Sequence, residues 1–222
     1  MTALTAHRRL PAGGAKPDWL VVLLHGLGGS GANMLSFAEY WAKALPGVTF
    51  VAPDGPDPCP QHPEGFQWIS KRAATDPLLY EEVCAAAPLI NAFADAELQE
   101  AALPPERLAL VGFSQGTLMA LHVGLRRATP PAAVLGFSGG LAGADKLEDE
   151  ITARPPTMLI HGEQDALAPV YAMMSAVKTL EKNGVVAHGH VIPGLGHEVN
   201  VDALVIGARF LHSAFAYQER HS

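Results

Sequence analysis

Leu108-Ala109-Leu110-Val111-Gly112-Phe113-Ser114-Gln115-Gly116-Thr117-Leu118-Met119-Ala120-Leu121 is the stretch that decides the fold. Leu108 to Val111 is a short, unbroken apolar run, as expected of a strand buried on both faces. Thr117 to Arg127 is a run of good helix formers and predicts a helix. Between them a G-x-S-x-G pentapeptide compresses the change from strand to helix into a sharp turn. Such a turn lifts the Ser114 hydroxyl off the end of the sheet, and glycines on either side spare the chain a Cβ clash. The helix start behind it supplies free N–H groups and partial positive charge. The same pattern recurs at Gly136-Phe137-Ser138-Gly139-Gly140, but Leu141, Ala142 and Gly143 continue it as a loop. Ser114 is therefore the candidate nucleophile, and Ser138 reads as a polar residue closing the next strand.

Outward from this turn, apolar runs alternate with helical patterns, which implies a mostly parallel sheet with helices on both faces. Strands are expected at Trp19–Leu24, Val48–Ala52, Ala132–Phe137, Thr157–His161 and Val185–Ile192. Helices are expected at Ala32–Leu45, Leu78–Leu103, Val170–Asn183 and Glu198–Tyr217. Pro88 falls inside the second helix and predicts a kink or break there. Five prolines between Pro53 and Pro63 predict an extended loop, followed by an irregular piece from Glu64 to Asp76. No repeat or low-complexity segment interrupts the chain, and residues 1–222 are expected to form one domain.

Composition excludes several classes. The chain has 222 residues, 49% hydrophobic, enough to bury one large core. The net charge of −7 argues against nucleic acid and anionic membrane surfaces, which reward a basic patch. Arg8-Arg9, Lys71-Arg72 and Arg126-Arg127 are isolated pairs and read as solvated surface. Met1 to Pro11 lacks the apolar core of a signal peptide, and no run is long enough to span a membrane. The two cysteines, Cys59 and Cys84, make no disulfide framework. A cytoplasmic protein with two free thiols is expected; a Cys59–Cys84 bridge is the alternative.

A serine hydroxyl needs a base within hydrogen-bond reach and a third group to orient that base. In this architecture the chain order is serine, acid, histidine. His161-Gly162-Glu163-Gln164-Asp165 puts Asp165 just past a late strand, and Gly194-Leu195-Gly196-His197 puts His197 in a glycine-rich loop past the last one. Glu163 is the alternative acid. His25 and His161 both end strands and read as structural. His122 falls on the helix after Ser114 and reads as packing. His188 and His190 point to one face of a strand, but no acid or cysteine lies nearby, so no metal site is expected. The charge that develops on a carbonyl oxygen needs two fixed donors. The Gln115 N–H is one, and the His25-Gly26-Leu27-Gly28-Gly29-Ser30-Gly31 loop offers the Leu27 N–H as the other.

These residues resemble the phospholipase/carboxylesterase group of α/β-hydrolases, which includes acyl-protein thioesterases. The matching pieces are LHGLGGSG at Leu24–Gly31, GFSQG at Gly112–Gly116, FSGGL at Phe137–Leu141, HGEQDALAP at His161–Pro169 and GLGHEV at Gly194–Val199. The resemblance implies an α/β-hydrolase fold without a large cap domain. It implies a serine esterase with Ser114, Asp165 and His197 as triad and Leu27 and Gln115 as oxyanion donors, acting on small to medium esters or thioesters without cofactor or metal. Relatives often carry an acid at Gly29 and a valine at Ala168. The stretch Pro63–Ile69 looks like the loop that flanks their acyl pocket, which makes Phe66 and Trp68 candidate substrate contacts; a plain core tryptophan is the alternative for Trp68. Leu167 and Leu195, beside the acid and the base, complete that candidate set. The resemblance also implies a homodimer through an apolar face near the site.

Overall fold

The computed structural model describes residues 4–70, 76 and 78–221. Within the irregular stretch expected from Glu64 to Asp76, residues 71–75, which include the Lys71-Arg72 pair, lie outside them, and Glu64 to Gln67 are strand instead.

Trp19–Leu24 (β2) shows how the sequence builds the core. Leu20, Val22 and Leu24 project into one hydrophobic cluster, while Trp19, Val21 and Leu23 project into a second on the other face. An apolar run therefore fits a strand with both faces covered, because alternate side chains are divided between two cores. The same division holds along Leu108–Phe113 (β6), the strand that ends at the Ser114 turn.

The remaining strands are Ala6–Arg9 (β1), Val48–Pro53 (β3), Asp57–Cys59 (β4), His62–Gln67 (β5), Ala133–Phe137 (β7), Thr157–Gly162 (β8) and Ala187–Ile192 (β9). Seven of the nine strands among the described residues form one sheet in the order β1-β3-β2-β6-β7-β8-β9. Only β1 runs antiparallel to its neighbour. Helices Gly31–Trp41 (α1) and Val201–His221 (α6) cover one face. Leu78–Glu100 (α2), Gln115–Gly124 (α3) and Val170–Lys182 (α5) cover the other, and Leu147–Glu150 (α4) is a single turn. This is the α/β-hydrolase architecture that the resemblance implies.

Three features depart from expectation. The prolines between Pro53 and Pro63 do not make an extended loop; β4 and β5 pair antiparallel as a short hairpin, with a register shift at Pro58/Cys59. Pro58 stands opposite Phe66, whose N–H and carbonyl bond Gly29 and Gly28 instead, so the proline removes no ladder hydrogen bond there. Helix α2 runs from Leu78 to Glu100 without a break, with Pro88 inside it. The missing amide bond is offset by burial of Val83, Ala87, Ile90, Ala94 and Leu98 along one stripe. Strand β1 was unannounced because its four residues, Ala-His-Arg-Arg, carry almost no apolar signal and take their pairing from β3.

Candidate active site

The turn at Ser114 is held from several sides. Ser114 adopts φ 54° and ψ −114°, a backbone state that non-glycine residues rarely hold. Its N–H donates to Phe137 O at 2.8 Å. The Thr117 hydroxyl lies 2.9 Å from Gly112 O and 2.8 Å from Phe137 O, stitching the start of α3 to the ends of β6 and β7. The flanking glycines serve close approach. A Cβ at Gly116 would lie 2.0 Å from Leu24 O, and one at Gly112 would lie 2.2 Å from Gly116 O.

Ser114, His197 and Asp165 converge. His197 Nε2 is 3.0 Å from Ser114 Oγ, and His197 Nδ1 is 2.7 Å from Asp165 Oδ2. The other carboxylate oxygen accepts from the N–H groups of Leu167 at 3.0 Å and Ala168 at 2.8 Å. Burial alone would raise the Asp165 pKa; the Ala168 amide, His197 and the Leu167 amide outweigh it and hold the carboxyl below its ordinary value. Asp165 therefore stays charged beside the imidazole. Because it accepts from Nδ1, it fixes the tautomer in which an unprotonated Nε2 faces Ser114.

The neighbouring candidates have other duties. Glu163 accepts from the Gly194 N–H at 3.0 Å, pinning the glycine loop that carries His197. His161 is fully buried, with Nε2 2.7 Å from Ala168 O and 3.2 Å from Asp165 Oδ2, so it braces the acid loop. Ser138 is buried at the end of β7 and donates its N–H to Ile160 O. His122 is buried against Tyr80 between α2 and α3. His188 and His190 are exposed on the edge strand β9, and among the described residues no cluster of three metal-ligating side chains includes them.

His25 orders the loop that holds Leu27. The Gly55 N–H donates to His25 Nε2 at 2.9 Å, so the ring proton sits on Nδ1. Nδ1–H then donates to Gly26 O at 2.7 Å, and the Gly29 N–H donates to the same oxygen at 3.0 Å. Two donors fix that carbonyl. The peptide is trans, so the Leu27 N–H is aimed the opposite way. Burial lowers the His25 pKa, against the Gly26 carbonyl and Asp54, and keeps the ring neutral.

Gln115 opens α3, so its N–H lacks an intrahelical acceptor. Its side chain has a second task that the sequence did not announce. Oε1 accepts from the Trp68 N–H at 2.8 Å, and Nε2 donates to Ile69 O at 2.9 Å. The Trp68 indole N–H donates to His25 O at 2.9 Å. Trp68 is thus a buried strut between the two donor loops. The Phe66 carbonyl accepts from the Gly28 N–H at 2.9 Å and the Phe66 N–H donates to Gly29 O at 2.8 Å, docking the hairpin on the Leu27 loop. Leu167 is 79% exposed beside the acid, whereas Leu195 is buried in the core cluster under the His197 loop.

A cavity of about 340 Å³ opens beside His197, walled chiefly by Leu27, Met34, Phe37, Phe113 and Val199. None of Phe66, Trp68, Leu167 or Leu195 lines it. A larger hollow, about 480 Å³, lies at the other end of the strands near Arg127. There the guanidinium already donates to Asn91 at 2.7 Å and Asp95 at 2.6 Å, far from the serine.

Known proteins resemble this chain in sequence and fold. The phospholipase/carboxylesterase family profile matches residues 6–214. Acyl-protein thioesterase 1 of Gibberella zeae is 27% identical over 193 residues, 80% of this chain and 82% of that protein. Esterase YpfH of Escherichia coli is 25% identical over 181 residues, 82% of this chain and 76% of that protein. The crystal structure of esterase PE8 superposes with a TM-score of 0.91 at 34% identity, covering 96% of this chain and all of that one (100%). The chain belongs to the phospholipase/carboxylesterase family of ester-hydrolysing serine hydrolases.

Proposed function

We propose that the protein is a carboxylesterase that cleaves small to medium-chain esters through an acyl-enzyme on Ser114. The observation that carries this reading is the continuous line from Ser114 Oγ through His197 (3.0 Å) to Asp165 (2.7 Å). Ser114 attacks the ester carbonyl while His197 Nε2 takes its proton. Asp165 stabilises the imidazolium that results. The Leu27 and Gln115 N–H groups receive the oxyanion, a contribution on the order of 3 kcal/mol per donor to the transition state. His197 then returns its proton to the departing alcohol. Water, activated by the same nitrogen, releases the acid.

The test is hydrolysis of p-nitrophenyl esters from C2 to C16 by the wild type and by Ser114→Ala. The variant is expected to lose about a thousandfold or more in kcat/KM. Equal activity in both proteins would remove Ser114 from the mechanism. A second reading, thioester hydrolysis, is favoured by the thioesterase named among the relatives. Matched thioesters assayed beside the esters separate the two, since the triad serves both.

The free thiols of Cys59 and Cys84 support a cytoplasmic location, which recovery in a secreted fraction would overturn. No helix among the described residues is long and apolar enough to cross a membrane. A homodimer through the apolar face near the site is expected, and a monomer mass by light scattering at high concentration would exclude it.

A further inference from the structure

The cavity beside His197 has a direction imposed by the chemistry. In the tetrahedral intermediate one substituent is Ser114 Oγ and one is the oxyanion. The remaining two are the acyl carbon and the departing oxygen. The departing oxygen must lie against His197 Nε2, because that nitrogen protonates it. The hollow of about 340 Å³ is bounded by His197 itself and by Glu198 and Val199, the residues that follow it. Its other walls are Phe113, which contacts the His197 ring at 5.1 Å between centroids, Met34 and Phe37 from α1, exposed Asn33, and His25, Gly26, Leu27 and Gly29 of the donor loop. It lies against His197, where the leaving group departs, and apart from Asn33, His25 and the loop backbone its lining is aromatic and aliphatic. Exposed Glu198 at its edge, on a chain of net charge −7, disfavours an anionic leaving group such as a phosphorylated glycerol.

Resting on the esterase reading, we propose that this cavity binds the alcohol half of the ester and selects apolar, ring-sized alcohols. It follows that the enzyme also transfers acyl groups to such alcohols. A site that holds a departing alcohol holds an incoming one in the same pose, by microscopic reversibility. The alcohol oxygen attacks the Ser114 acyl carbonyl and its proton passes to His197 Nε2. The bond to Ser114 Oγ breaks, and Oγ takes that proton. A new ester leaves and free enzyme returns, with no other reactant consumed. Water competes for the same acyl-enzyme.

The experiment forms the butyryl-enzyme from p-nitrophenyl butyrate in the presence of benzyl alcohol or, at equal concentration, glycerol. It measures new ester against free butyrate, for the wild type and for Val199→Trp and Phe37→Trp, which fill the cavity. The ratio belongs to one acyl-enzyme, so it is independent of how much protein is correctly folded. The wild type is expected to favour benzyl alcohol over glycerol by about tenfold or more, the scale at which an apolar pocket discriminates a few carbon atoms. Both variants are expected to erase most of that preference. Equal partition to both alcohols, or a preference that survives both fillings, overturns the proposal. So does a changed acyl-length profile in the variants with unchanged alcohol preference, which would make the hollow an acyl site. Absence of p-nitrophenol release from the wild type is a different failure, that of the esterase reading itself.

Discussion

Asp165 is useful because it remains ionised where burial opposes ionisation, and two backbone amides and His197 make that so. Asp165→Asn keeps the shape but presents an amide that lets the imidazole adopt the wrong tautomer. Its kcat is expected to fall on the order of 10³–10⁴-fold, as in other serine triads, with little change in melting temperature. A variant with near-normal kcat would shift the role to Glu163. His25 acts one step further out, through the Gly26 carbonyl. His25→Leu removes both ring hydrogen bonds and leaves the Gly26–Leu27 peptide held by the Gly29 N–H alone. Since the oxyanion exists only after attack, kcat is expected to drop on the order of 10²-fold with KM nearly unchanged. A rise in KM alone would separate His25 from the donor loop. At this scale the sequence was informative where chemistry constrains chain order: Ser114, Asp165 and His197 follow from motif and position. It was silent on the Gln115 side chain and on the bracing duties of His25 and His161. Those depend on Trp68, Gly55 and Ala168, partners that only the folded chain brings near.

Elements were legible in proportion to their hydrophobic signal. Strand β2 ends where its apolar run ends, and β6 is two residues longer than its run. The β4–β5 hairpin was hidden because proline-rich sequence hides pairing, and its docking against Gly28 and Gly29 is made by backbone groups that any residue carries. The junction of β2 with α3 is a close backbone contact. Gly116→Ala would drive a methyl group to 2.0 Å from Leu24 O, a backbone atom that cannot swing aside. The helix must back away from the sheet, and a loss on the order of 3 kcal/mol in urea unfolding is expected, together with loss of activity. An unfolding midpoint equal to the wild type would show that α3 can slide without cost.

For the molecule as a whole, two buried histidines contribute to the response to acid. Burial, aided by Arg126 and opposed by Glu150, lowers the His122 pKa from the ordinary 6.5 to about 4. The folded state resists a proton that the unfolded chain accepts. Stability is therefore full above pH 6.5, declines as the pH falls toward 4, and levels off once folded His122 also titrates. The loss from this group is on the order of 3 kcal/mol, and His25 acts in the same direction. Urea unfolding at pH 7 and pH 4.5 is expected to show the decline in one cooperative transition, and His122→Leu is expected to flatten it. An unchanged slope in that variant would assign the acid response elsewhere. The order of the sheet carries a further consequence, for folding kinetics. From β6 outward, strands lie in chain order, β7, β8 and then β9, and Ser114, Asp165 and His197 each follow a different strand. Buried Trp19, Trp41 and Trp68 report collapse of the half of the sheet built around β2. During refolding, tryptophan fluorescence should recover before ester turnover does, because a serine without its last-docked histidine is only an alcohol.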